Sequence, residues 1–448
     1  MSTVPSHRLI EANVPRYTSY PTAPHFHPEV TSDTVGQWLD AMPDGEAVSL
    51  YLHIPFCDKL CWFCACHTKQ TLRYEPVADY LAALHCEIET VGRRIAGRNS
   101  VAAIHLGGGS PTMLKPDDLR ALRRKLDACF KMTPDASLSV EIDPNDMDGE
   151  KLDALAEIGL TRASLGVQDF DERVQRAINR MQSFETTAAV VDGLRARGVG
   201  SVNLDLLYGL PFQSVETLIA TVDKALSLEP DRIALFGYAH VPWFKKHQTM
   251  IDDATLPGAT ARLAQAMAAA QSIASRGYAR IGIDHFALPE DSLAEAAREG
   301  RLRRNFQGYT DERCGTIIGL GPSSISQYMQ GYAQNEPSTG EYGRRVSKGL
   351  LAIARGIALS DDDRARGWVI ERLMCDLAFS ASEAIRRFGA TGAEVVAEAS
   401  LLAQNSTGLR RDGDHFVVDD DDRIVVRAIA ANFDRYLAQR QSRHSAAV

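Results

Sequence analysis

Two periods of hydrophobicity alternate along residues 47–276. Short apolar runs of strand length fall at 48–54, 101–106, 137–142, 162–167, 202–207 and 232–238. Stretches in which apolar positions recur every three to four residues fall at 76–95, from Pro116 onward, and at 149–158, 171–179, 184–197, 214–228 and 257–276. Prolines near the start of the first two stretches suit the opening turn of a helix, where the missing N–H is not needed. Six β–α units in succession predict an α/β domain. Its parallel sheet has right-handed crossovers, either open or closed into a barrel. In barrels of this kind chemistry gathers at the C-terminal ends of the strands.

The chemically distinctive residues fall at those ends. A cysteine-rich loop follows the first strand and Gly107-Gly-Gly-Ser110 follows the second. Glu141 and Asp143 close the third, Gln168 and Asp169 the fourth, Asp205 lies late in the fifth, and Ala239-His240 follow the sixth. Each alone has a bland reading: a glycine run is often a tight turn, and a single buried carboxylate is more often paired structurally. Their shared rim position is what carries weight.

The flanking regions lack this alternation. Residues 1–30 are rich in Pro, Tyr, Thr and His and read as an extended, irregular arm whose aromatic content implies packing. Residues 281–345 are Gly-punctuated loops and short elements expected to complete the barrel side. Ser360-Asp-Asp-Asp reads as a helix N-terminus, followed by helices near 364–378, 381–388 and 391–405. A hairpin at 408–418 with Asp412-Gly413 as its turn and a last helix over 424–439 complete a small winged-helix-like unit. The expected organisation is an arm (1–30), a catalytic domain (31–350) and a mostly helical C-terminal domain (351–448).

Composition changes the picture little. The chain has 448 residues and a formal net charge of -9, which gives no general electrostatic reason to bind nucleic acid or an anionic membrane. The acidic run Asp419–Asp422 argues against DNA binding by the wing. The first ten residues lack the apolar core of a signal peptide, and no apolar run has bilayer-spanning length. A reducing, cytoplasmic location is expected.

Cysteine usage changes it greatly. Four of the eight cysteines, Cys57, Cys61, Cys64 and Cys66, lie within ten residues. Disulfides suit oxidising compartments and small secreted domains. Structural zinc takes two separated ligand pairs, and no second pair follows at finger-like distance. An iron–sulfur cluster accepts thiolates from one short loop, and that reading is favoured. Cys86, Cys129, Cys314 and Cys375 read as ordinary core or surface cysteines.

The C-x3-C-x2-C spacing of Cys57, Cys61 and Cys64, with the aromatic pair Trp62-Phe63, resembles the motif of radical S-adenosylmethionine (radical SAM) enzymes. Extended by Cys66 to C-x3-C-x2-C-x-C, it resembles the oxygen-independent coproporphyrinogen III oxidases of haem biosynthesis. The same resemblance is carried by Pro15-Arg-Tyr-Thr-Ser-Tyr-Pro-Thr22, Gly166-Val-Gln-Asp-Phe170, Asn179-Arg180, Asp205-Leu-Leu-Tyr-Gly-Leu-Pro211, Tyr238-Ala-His240, Gly282-Ile-Asp-His-Phe-Ala287 and Phe306-Gln-Gly-Tyr-Thr310. It spans nearly the whole chain.

The resemblance implies a partial (β/α)6 TIM-like radical SAM barrel. It implies a [4Fe-4S] cluster on Cys57, Cys61 and Cys64, with SAM chelated to the fourth iron, and Cys66 as a thiol outside the ligand set that serves turnover. It implies contacts to the cluster-bound SAM from Tyr51, Gly108, Glu141, Ala239 and Ile325. For a second SAM the matching residues are Phe63, Gly109, Ser110, Gln168, Arg180 and Asp205. The implied reaction converts two propionates of coproporphyrinogen III to vinyls, with an electron donor to the cluster and an electron acceptor as partners. A monomer is expected.

Departures from the family pattern are Ala65, His67, Trp62, Ser110 and Met181. Trp62 keeps the aromatic and Ser110 the hydroxyl. Two alternatives stand beside this reading. One is a haem-binding or haem-delivery relative, which the arm and Cys66 argue against; the other is a radical SAM enzyme acting on another tetrapyrrole. Asn179-Arg180 and Arg303-Arg304 are candidates for gripping substrate carboxylates.

Overall fold

The apolar runs become strands because both their faces are covered. In β1 (Ala47–Ile54), Val48, Leu50, Leu52 and Ile54 are fully buried, and so is Ser49 on the opposite face. That near-continuous burial is expected of a parallel strand between helical layers. Helix Glu75–Ile95 buries Val77, Leu81, Leu84, Ile88, Val91 and Ile95 in one stripe at alternating three- and four-residue steps. The computed structural model describes residues 7–10, 12–405 and 408–437.

The remaining parallel strands are β2 (Ser100–Gly108), β3 (Lys131–Ile142), β4 (Arg162–Gln168), β5 (Ser201–Tyr208) and β6 (Arg232–Gly237). Short strands follow: β7 (Ala279–Ile281), β8 (His285–Ala287), β9 (Thr316–Leu320), β10 (Ile325–Tyr328), β11 (Gly331–Asn335) and β12 (Ile353–Ala358). Together they form one twelve-stranded sheet in the order β12-β11-β10-β9-β1-β2-β3-β4-β5-β6-β8-β7. The β1–β6 order matches the sequence expectation, each neighbour pairing in parallel.

The segment expected to complete the barrel side does so by adding strands to both edges. β9 pairs in parallel with β1, setting Tyr51 opposite Gly319. β10, β11 and β12 extend that edge antiparallel, while β8 and β7 extend the other beyond β6.

Helix Asp361–Asp376 starts with a reciprocal capping box between Ser360 and Asp363, as the acidic run predicted. Helix Ala381–Asn405 breaks at Gly389 (φ 56°, ψ -126°), which accounts for the two helices read from sequence. The hairpin is present, but Asp412 pairs with His415. Its turn is therefore Gly413-Asp414 rather than Asp412-Gly413. Gly413 has a positive φ at the first central position, which suits a type II′ turn.

The expected helix over 424–439 is cut short. Asp420–Val425 is a 3-10 segment, Val426–Ala430 is α-helical and Ala431–Phe433 is again 3-10. β-branched Ile424, Val425 and Val426 weaken its start. At its end the Asp434 carboxylate accepts from the backbone N–H groups of Tyr436 and Leu437, competing with helical bonding. Residues 438–439 lie outside those described.

The arm contains one helical turn, His7–Ile10, and a 3-10 turn, Ala23–His25; a helix at Ser32–Asp40, capped by Thr31, was not anticipated. Between Ala12 and Val30 the rest of the arm is irregular and packed, with Val14, Tyr17 and Tyr20 buried. Tyr17 donates to Asp434 at 3.0 Å, which ties the arm to the chain's far end.

Candidate active site

The cysteine loop leaves β1 and is closed at its base by a two-residue parallel pair, Phe56–Cys57 with Lys69–Gln70. Trp62 and Phe63 pack against a small apolar cluster that includes Val174, Ile178, Leu207, Leu210, Tyr238 and Ile251. Two rim segments then grip the loop's backbone from opposite sides. On one side Asn179 Nδ2 donates to the Leu60 carbonyl (2.9 Å), the Trp62 N–H donates to Ile178 (2.9 Å), and Arg180 Nη1 reaches Cys61 Sγ at 3.6 Å.

On the other side Lys245 Nζ donates to the Cys66 carbonyl (2.8 Å), His247 Nε2 to the Cys64 carbonyl (2.7 Å) and Gln248 Nε2 to the Phe63 carbonyl (2.9 Å). Gln248 is fully buried, donates also to Ala239 O (3.2 Å) and accepts from the Val241 N–H (2.6 Å). The exit of β6, and Ala239 with it, is thereby fixed to the loop.

A second network runs beneath the loop. Tyr51 and His53 share one face of β1, being two residues apart. His53 Nε2 donates to the His67 carbonyl (2.9 Å), so its Nδ1 accepts from the Tyr51 hydroxyl (3.0 Å). Burial lowers the His53 pKa to about 4, which keeps the ring neutral. Tyr51 stacks on His105 with centroids 5.7 Å apart. His105 Nε2 lies 3.3 Å from Glu141 Oε1, and the Gly108 N–H donates to Glu141 Oε2 at 2.9 Å.

Two carboxylates line this part of the rim and differ in charge state. Burial raises the pKa of Glu141, but His105 and the Gly108 N–H outweigh it and hold the group below its ordinary value. Asp205 accepts from Asn203 Nδ2 (2.7 Å) and Ser164 Oγ (3.2 Å). Burial and the nearby charge of Glu141 nevertheless push it up to about 6.

The glycines let two strand exits touch. A Cβ on Gly109 would come within 2.5 Å of the Phe56 carbonyl, and one on Gly108, where φ is +113°, within 2.5 Å of His53. Ser110 is buried, its hydroxyl donating to Asp146 Oδ2 at 2.6 Å. Arg180, besides reaching Cys61, donates to Asp143 (2.9 Å) and to the Gly166 carbonyl (2.7 Å). Gln168 holds a positive φ at the end of β4, and Ile325 opens β10 with its carbonyl against Gly319. Asp169 is fully buried among Thr221, Gln213 and the Asp171 N–H, which is a structural role.

Sequence reasoning missed His53, His105, Lys245, His247 and Gln248. The first had a signal, since it lies two residues beyond Tyr51 on the same strand. The 245–248 segment had none, as it lacks periodicity and acts only by where it folds.

The thiols fit a cluster. All eight cysteines are free of disulfides, and Cys57, Cys61 and Cys64 are half-buried. They are near enough to one another that each charge raises the Cys57 pKa, after burial. The Cys66 N–H donates to Cys64 Sγ at 3.4 Å. The Cys66 side chain and that N–H lower the Cys64 pKa below the ordinary thiol value, against burial. Among the described residues no three His, Cys, Asp or Glu side chains converge on a point that would hold a single metal ion. A cubane, which takes each thiolate on a different iron, asks for no such convergence.

A three-thiol loop at the C-terminal end of the first strand of this parallel sheet defines a radical SAM protein, and residues 51–225 match the radical SAM superfamily. The fold agrees closely with that of a solved structure, the coproporphyrinogen III oxidase of Escherichia coli. The TM-score is 0.90 at 38% identity, over 94% of this chain and 98% of that one. The chain is 46% identical to the oxygen-independent coproporphyrinogen III oxidase of Bradyrhizobium diazoefficiens over 98% of both proteins. Its identity to the enzyme of the same name from Pseudomonas aeruginosa is 40%, over 96% of this chain and 95% of that protein. The chain belongs to the oxygen-independent coproporphyrinogen III oxidase family.

Proposed function

We propose that the chain converts two propionate side chains of coproporphyrinogen III to vinyl groups without oxygen, giving protoporphyrinogen IX. Near-full-length identity to enzymes of that name, with the three-thiol loop intact and clamped at the rim, carries this reading. Each propionate loses one hydrogen atom from its β-carbon, one carbon dioxide and one electron, so an electron acceptor is required. A [4Fe-4S] cluster with SAM, supplied with an electron from a donor, provides the hydrogen-abstracting chemistry when bound.

The protein's part is presentation. Cys57, Cys61 and Cys64 hold the cluster; the Cys66 N–H and Arg180 favour the thiolate forms of Cys64 and Cys61. Glu141, kept ionised, suits a cationic amino group of SAM, and Tyr51, Gly108, Ala239 and Ile325 frame the same end of the sheet. Asp205, Arg180, Gln168, Ser110, Gly109 and Phe63 belong to a second SAM in this reading. Ser110 and Arg180 would reach it only by sharing or exchanging their present hydrogen bonds. Cys66, exposed and beside Cys64, serves turnover without ligating iron.

The test is anaerobic reconstitution with iron and sulfide, then incubation with SAM, a reductant and coproporphyrinogen III. The expected products are 5′-deoxyadenosine and the doubly vinylated porphyrinogen. Formation of 5′-deoxyadenosine with no decarboxylated product would overturn the substrate assignment and leave radical SAM chemistry standing.

A further inference from the structure

Beyond β6 the structure holds a cavity of about 220 Å³ that the rim chemistry described above does not use. Five arginines line it against three aspartates, an excess of positive charge inside the protein. Two of the five, Arg280 and Arg423, are paired with Asp420 at its edge. Arg16, Arg304 and Arg427 come from the arm, the hairpin Arg303–Thr310 and the C-terminal unit, and all three lie near Asp284.

Arg304 is the telling residue. Among the described residues its Nε and Nη1 are buried with no hydrogen-bond partner. Its guanidinium lies over the Tyr309 ring, 4.4 Å from the centroid, and its Nη2 reaches the Arg16 carbonyl at 3.5 Å. Asp284, bonded to His285 Nδ1 at 2.7 Å, is the counter-charge that Arg304 shares with Arg16 and Arg427. Arg16 is held in place by donation to the Gly237 carbonyl at 2.6 Å and by the buried arm residues on either side of it. Burial, with the charges of Arg16 and Arg304, lowers Arg427 to about 10. Buried guanidinium groups crowded in this way are costly unless an anion completes them.

The geometry points to a carboxylate-binding site in which Arg304, flanked by Arg16 and Arg427, grips a propionate of the substrate that is not the one reacting. This rests on the proposed reaction, whose substrate carries four carboxylates and whose product keeps two. The two halves of the site adjoin. His285 lines this cavity and also a second one, of about 240 Å³, that contains Glu141 and Asp205. A ring anchored by one carboxylate in the arginine cavity would direct another side chain toward the rim, where remote binding energy serves orientation. The arm supplies Arg16, so it acts here as a wall of the substrate site.

The experiment titrates the reconstituted full-length enzyme with coproporphyrin III, the oxidised and coloured tetra-acid, and with its tetramethyl ester. It also measures KM and kcat for coproporphyrinogen III. Wild type should bind the tetra-acid at least tenfold more tightly than the ester. Arg304→Ala and Arg16→Ala should each weaken tetra-acid binding and raise KM by about ten- to a hundredfold, the loss of a charge-assisted hydrogen bond. Arg304→Lys should recover part of this, and ester binding should be unaffected.

Arg276→Ala, exposed at the C-terminal cap of helix Ala259–Ser275, serves as the control. If Arg304→Ala misfolds, judged by circular dichroism and iron content, the Lys variant and Arg16→Ala decide. Wild-type turnover with unchanged KM and tetra-acid affinity in these variants overturns the site alone. Failure of wild type to decarboxylate overturns the reaction on which the site rests.

Discussion

Replacing Gln248 by leucine removes a buried side chain that bridges the cysteine loop and the exit of β6, while keeping a similar volume. Three backbone groups lose a partner: the carbonyls of Phe63 and Ala239 and the N–H of Val241. Gln248 is fully buried, so water does not readily replace it. At about 1 kcal/mol per bond, the closed loop loses about 3 kcal/mol relative to open forms. That is roughly a hundredfold rise in the open population. Iron becomes reachable through that opening, and when closing is fast the stripping rate follows the open population. The assay is the rate at which a ferrous chelator removes iron from anaerobically reconstituted protein, read beside the thermal midpoint. Stripping should accelerate by up to about a hundredfold, with a far smaller effect on global melting. A wild-type stripping rate would refute the clamp. A large fall in melting temperature with no change in stripping would place Gln248 in the general core instead.

Serine at Cys57, Cys61 or Cys64 should abolish iron incorporation, whereas Cys66→Ser should retain iron and lose turnover; iron loss in the latter would make Cys66 a ligand. Asp205 has a folded pKa of about 6 against an ordinary 3.8, so its contribution to stability is present below about pH 4 and is lost as pH rises through 6. Asp205→Asn should therefore stabilise the fold at pH 7 by up to about 3 kcal/mol and not at pH 4, while weakening SAM binding; equal urea midpoints for the two proteins at pH 7 would refute this. Arg366 is buried between Asp362 and Glu398 and also donates to the Phe433 carbonyl. Arg366→Ala should cost about 2–4 kcal/mol in urea unfolding, discounted for the partial exposure of both carboxylates, and a change under 0.5 kcal/mol would show that the network carries no stability.

The β–α alternation was legible because strands covered on both faces and helices buried on one stripe impose different periods on the sequence. Val48 to Ile54 and the 77–95 stripe carry that record directly. Elements whose formation depends on a side-chain cap or on competition were less legible. Ser32–Asp40 contains Thr34, Val35 and Gly36, which dilute its pattern, and it is secured by the Thr31 cap. The 424–439 stretch reads as helix from its alanines until Asp434 diverts the backbone. At the site, cysteine spacing marked the loop because a cluster constrains sequence locally. Apart from the Arg180 contact to Cys61, the clamps at 178–180 and 245–248 bind the loop's backbone N–H and carbonyl groups, which any residue offers, and they leave no mark on the loop's own sequence. The arginine cavity draws on residues 16, 304 and 427, a separation no periodicity spans.

The two rim carboxylates show how the sheet itself sets chemistry. Glu141, near the end of β3, and Asp205, late in β5, face a common space across β4, so the charge of Glu141 disfavours that of Asp205. Glycine decides which one yields. Because residue 108 lacks a Cβ and takes a positive φ, its N–H turns toward Glu141, and His105, two positions upstream of Gly107 on β2, reaches the same group. Asp205 receives neutral amide and hydroxyl donors from Asn203 and Ser164 and the more distant charge of His285, which together do not offset its burial. One carboxylate is thus fixed as an anion, suited to a cationic ligand, and the other titrates near neutrality, suited to a partner whose hydroxyls donate. The difference follows from the strand positions of three partner side chains and one glycine, and it exists before any ligand arrives.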